Sequence, residues 1–155
     1  MQSPFPYASD QQSTLTLTGR WTEGGVADIR IPGEPPLVVP LPAAPWAVMA
    51  ILIQAAKDAG PEDWGQAFRT IHELAFLLYK KTGLGARDPE NIIRLVFRLR
   101  RLLARAAEQR PEGDQHRSAE NWSKRLIERQ PFLGYRISLP PENLRLEILD
   151  GVLPG

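Results

Sequence analysis

Hydrophobic and polar positions alternate from Thr14 onward. "TLTLTGRW" puts Leu15 and Leu17 on one side and threonines on the other, "GG" marks a turn, and "VADIRI" alternates again. "PGEPP" interrupts the pattern, and a third apolar run, "LVVPL", ends at Leu41. Two or three antiparallel strands are predicted. The period changes near Ala44: Trp46, Met49, Ile53 and Ala56 recur at helical spacing until Ala59, and Gly60-Pro61 stops the run. A second helix is predicted to open at Pro61, Glu62 and Asp63, where proline and carboxylates suit a first turn, and to run through "WGQAFRTIHELAFLLYKK" to Thr82-Gly83.

A third helix starts at Asp88 and Pro89, an N-cap acceptor followed by a first-turn proline. Its body, "ENIIRLVFRLRRLLARAAEQR", has two faces. Ile92, Val96, Leu99 and Leu103 share one, and Arg94, Arg98, Arg101 and Arg105 share another. The first requires a core; the second requires water or an anion. The polar stretch "EQRPEGDQHRSAENW" is too charged and too rich in breakers to pack, and "RLIERQ", "GYRISL" and "LRLEIL" then alternate as strands. The expected class is α+β: N-terminal antiparallel strands, three helices and a C-terminal β-hairpin. Residues 1–13 read as a flexible tail, and 14–150 as a single domain with a polar insert near 108–121.

A chain of 155 residues with 43% hydrophobic and 24% charged positions has the composition of one soluble globular domain. It has no cysteine, which excludes disulfides, thiolate metal sites and a cysteine nucleophile, and agrees with a cytoplasmic location. The first residues lack the basic and apolar regions of a signal peptide. "PWAVMAILIQAA" is too short to span a bilayer, so no membrane role is expected. Charge is unevenly placed. Residues 80–136 hold fourteen Lys and Arg against seven Asp and Glu, although the whole chain carries only +1. Such an excess is the electrostatic footprint of a nucleic-acid site, or an ordinary solvated helix face.

Three helices followed by a hairpin is the order of a winged helix, whose third helix enters a DNA groove. Local motifs narrow the comparison. "LVVPLPAAPWAVMAILIQAA" resembles the strand and first-helix start of the OmpR/PhoB-type regulator DNA-binding domains, "IIRLVFRLRRLL" resembles their recognition helix, and "LIERQPFLGYRI" resembles their wing, which typically ends in "GxGYR". The likeness covers about residues 14–138, with Leu99, Arg100, Gly134, Tyr135 and Arg136 its most specific points. It implies a winged helix-turn-helix domain without a receiver domain, and by analogy puts Arg100 on a phosphate. Phe132 stands where the family has a small glycine, Pro131 precedes it, and Leu102 replaces a lysine.

Two functions follow. In the first, the chain is a transcription regulator that binds double-stranded DNA, as a homodimer because one recognition helix covers half a site. Arg94, Arg98, Arg101 and Arg105 then lie in or beside the major groove, where arginine pairs with guanine or neutralises phosphate. Arg129 and Arg136 flank the wing, as contacts to the adjacent backbone or minor groove or as charges that discourage strand-edge pairing. In the second, the winged helix is an adaptor, and Leu95, Phe97, Pro131, Phe132 and Leu133 form an apolar patch for a protein partner. No enzyme activity, cofactor or metal is expected. His72 lacks the second histidine of a zinc motif, His116 lies in the polar stretch, "TGLGAR" lacks a phosphate loop's lysine, and the paired carboxylates sit where helix starts favour them. Of the tryptophans, Trp21, Trp46 and Trp64 read as core or cover, and Trp122 as an anchor for the insert.

Overall fold

Alternation in the first forty residues produces a one-sided sheet. In the computed structural model, which describes residues 12–33, 35–60, 62–83, 88–109 and 123–150, β1 (Thr14–Arg20) pairs antiparallel with β2 (Gly24–Arg30). β2 in turn pairs antiparallel with β3 (Leu37–Leu41). Leu15 lies opposite Ile29 and Leu17 opposite Ala27, while Ala27 and Ile29 face Val39 and Leu37. The period of two thus collects Leu15, Leu17, Ala27, Ile29, Leu37, Val39 and Leu41 on one buried face, and leaves Val26 and Val38 exposed on the other. The tail through residue 11, most of the polar insert with His116 and Trp122, part of "TGLGAR", and the Trp64 side chain lie outside the described residues.

Against this face lies α1 (Ala43–Ala59), apolar nearly all round and buried at every position from Pro45 to Ile53, as a helix at the centre of a domain must be. Trp46 is fully buried, its Nε1 donating to the Thr18 carbonyl at 3.1 Å and its ring meeting Trp21 edge-on at 5.5 Å. Burying each large side chain here contributes about 1.5–3 kcal/mol. Gly60, at φ 74°, ends the helix.

The second helix is shorter than its sequence pattern suggests. Residues Trp64–Ala67 form a single 3-10 turn, Phe68 to Thr70 are extended, and α2 runs only from Ile71 to Thr82. One local and one distant interaction fix this start. The Thr70 hydroxyl accepts from Glu73 N at 3.1 Å while the Glu73 carboxylate accepts from Thr70 N at 3.0 Å, a complete capping box. Just before it, the backbone of Arg69 exchanges two 2.9 Å hydrogen bonds with Tyr135 and cannot join a helix. The far end matches expectation, with Gly83 in the left-handed conformation at φ 68°.

Asp88 caps α3 (Pro89–Glu108) by accepting from Glu90 N at 3.0 Å. Residues 123–126 are helical rather than extended, and the hairpin consists of β4 (Ile127–Gln130) and β5 (Gly134–Ile137). The last alternating segment leaves the hairpin altogether. β6 (Leu144–Ile148) lies parallel to β1, completing a four-stranded sheet in the order β3-β2-β1-β6. Asn143 Nδ2 donates to Ser13 O at 2.9 Å, Lys57 Nζ to Leu144 O at 2.6 Å, and Leu149 N to Gly19 O at 2.9 Å, so both ends of β6 are pinned. No described helix is long and apolar enough to cross a membrane.

Candidate nucleic-acid interface

The two faces of α3 separate as its pattern requires. Ile92, Val96, Leu99 and Leu103 are fully buried, whereas Arg94, Arg98, Arg101 and Arg105 are exposed. From Arg94 to Arg105 the stripe runs about 16 Å along the axis, at about 1.5 Å per residue. Phe97 sits among them, 61% exposed, with the Arg101 guanidinium 5.8 Å from its ring centre. Among the described residues, none of these four arginines forms an ion pair or a side-chain hydrogen bond. Among the described residues no carboxylate pairs with them, and counterions held at such a face are what a polyanion displaces.

Arg100 lies on the other side of the same turn and has a structural task. Its Nη2 donates to the Ile127 carbonyl, and its guanidinium stands 5.7 Å from the Tyr135 ring centre, so it ties α3 to the hairpin. Burial holds the guanidinium below its ordinary pKa, with Tyr135 acting the other way and the nearby Arg129 charge adding to the depression. Half-buried and bonded to a carbonyl, Arg100 thus has a structural contact that the resemblance does not imply.

The hairpin carries the second set of candidates, and they divide. Arg129 is exposed, without an ion pair among the described residues, and lies opposite Tyr135 on the hairpin, close enough for its charge to act on Arg100. Arg136 does not belong with it. It is only 8% exposed, its Nε donates to Glu128 at 2.7 Å, and its guanidinium lies 4.2 Å from the Phe68 ring centre. The neighbouring strand position supplies the carboxylate and the α1–α2 link supplies the ring, so Arg136 helps hold the hairpin in place. Gly134, at φ 98°, lies so close to the Arg69 backbone that a Cβ would overlap it. Each residue of "GYR" thus has a contact that fixes the hairpin.

The apolar candidates also separate. Leu95 is half-buried and packs against the core. Phe97 lines a groove of about 320 Å³ with Arg100, Arg101, Arg105 and Lys124, while Pro131 and Phe132 line another of about 270 Å³ beside Thr70 and His72. Phe132 is 100% exposed and Leu133 51% exposed. Pro131 and Phe132 are the central residues of a turn closed by Leu133 N donating to Gln130 O at 3.2 Å, and Phe132 has φ 68°. Proline followed by a positive φ defines a type II turn, whose third position normally takes glycine.

Lys124 extends the basic groove without having been singled out in the sequence. Nothing local marks it, because it lies on a different segment from α3 and reaches that helix only through the tertiary fold. Comparison of the chain with protein-family models, with curated proteins and with solved structures finds no match.

Proposed function

We propose that the chain is a winged helix that binds double-stranded DNA, inserting α3 into the major groove with the β4–β5 hairpin as its wing, two copies occupying adjacent half-sites to regulate transcription. The observation that carries this reading is the set of four exposed α3 arginines with no carboxylate partner among the described residues. A helix packed for stability alone gains from intermingled acidic residues at i,i+4, and from Arg94 to Arg105 this face has none, Glu90 and Glu108 standing only at its two ends. Its length of about 16 Å matches the ~17 Å rise of five base pairs. The Arg69–Tyr135 bridge and the Arg100–Ile127 bond anchor the hairpin on two sides, as a docking element beside a recognition helix requires.

The roles divide accordingly. Arg94, Arg98, Arg101 and Arg105 contact bases or phosphates in the groove, Arg129 contacts the adjoining backbone, and Arg100 and Arg136 position the hairpin. Fluorescence anisotropy with a labelled duplex at a series of salt concentrations tests this. The full chain should show a salt dependence equivalent to roughly four to six phosphates, at about 0.9 per contact, and R98A/R101A should lower it by about two contacts. A salt-independent or absent signal removes the reading. In that case the adaptor function remains, in which Phe132 and Leu133, both exposed, meet a protein partner.

A further inference from the structure

The tip of the hairpin is costly in a way nothing around it offsets. Among the described residues, Phe132 is the one non-glycine with a positive φ, and it is also the most exposed large apolar side chain. Glycine would satisfy this turn, and a polar side chain would satisfy the solvent. Phenylalanine satisfies neither, and strained positions of this kind persist where they serve a function. The turn also holds the ring outward by construction: Pro131 fixes one central dihedral, the Gln130–Leu133 hydrogen bond closes the loop, and the strand pair behind it is bound to α3 and to Arg69.

We propose that Phe132, with Leu133 beside it, is an apolar wedge that enters the minor groove of the bound duplex, partly unstacks one base step and bends the DNA. This rests on the DNA-binding reading above. The surroundings favour duplex DNA over a protein surface. A protein interface calls for a broad contiguous apolar patch, yet Leu95 packs against the core and Phe97 lines a different groove, so the exposed apolar surface of the tip is confined to Pro131, Phe132 and Leu133. A wedge needs only one or two such residues, together with cations to hold the flanking phosphates. Arg129, exposed at the start of the turn, and the α3 stripe supply those cations.

The test uses the full chain and an A·T-rich duplex of about 20 base pairs carrying donor and acceptor dyes at its ends. Wild type should raise energy transfer as the duplex bends, within the range of roughly 20–90° known for apolar wedges. F132G and F132S should bind with an unchanged salt dependence while transfer stays at the value of the free duplex. Glycine removes the ring and the strain, and serine removes the ring alone, so agreement between them assigns the effect to the side chain. Salt-dependent binding by wild type without bending, or bending retained in both variants, overturns the wedge and leaves the DNA reading intact. Failure of wild type to bind any duplex overturns both.

Discussion

Replacing Phe132 by glycine should make the protein more stable, although it deletes the most exposed large apolar side chain among the described residues. The ring is 100% exposed, so its removal forfeits no buried contact. Holding a residue with a Cβ at φ 68° costs about 1–2 kcal/mol, and glycine is free of that strain. Against this, glycine adds about 0.5–1 kcal/mol of backbone entropy to the unfolded chain. The net gain is about 0.5–1 kcal/mol. With a urea m-value of about 2 kcal/mol/M, the unfolding midpoint should rise by about 0.3–0.5 M. Tryptophan fluorescence reports the transition, because Trp46 is sealed in the core. Phe132→Ser provides the control: it removes the same ring but keeps the Cβ, and should leave the midpoint nearly unchanged. A loss of more than about 1 kcal/mol in the glycine variant would refute the reasoning, since it would mean that the ring stabilises the fold.

Two further outcomes separate structural residues of the hairpin from ligand contacts. Gly134→Ala forces a Cβ into the Arg69 backbone at φ 98° and breaks the paired 2.9 Å hydrogen bonds to Tyr135, so thermal unfolding should show a loss of about 3 kcal/mol or more. Arg136→Ala leaves Glu128 partly buried without its 2.7 Å partner and uncovers Phe68, and should cost about 2–4 kcal/mol by chemical denaturation. Measured at a temperature where that variant remains folded, its salt dependence of DNA binding should equal that of wild type; a lower slope would return Arg136 to the ligand-contacting set.

Much of the fold can be read from local pattern. The three N-terminal strands, α1 and its stop at Gly60, the Gly83 cap, and the Asp88-Pro89 start of α3 each rest on interactions within a few residues of one another. The start of α2 was legible too, in the "TIHE" capping box, but the carboxylates and proline near position 62 compete with it as a helix start. What decided between them is the Arg69–Tyr135 pairing, across sixty-six positions of sequence.

The amphipathic split of α3 was likewise determined by sequence alone, because a period near 3.6 dictates which side chains share a face whatever the neighbours are. Sequence could not say which arginines that face keeps. Arg100 and Arg136 match motif positions and carry the same guanidinium as Arg98 and Arg129, yet the fold closes the first over Ile127 and Tyr135 and the second over Glu128 and Phe68. Burial and ion pairing depend on partners that arrive from other elements, so residue type is silent about them. The same holds for β6, whose alternation predicts a strand but not that its edge will meet β1 in parallel, more than a hundred residues away. Local periodicity set the elements and their faces; the distant contacts of tertiary packing set which charges remain free for a ligand.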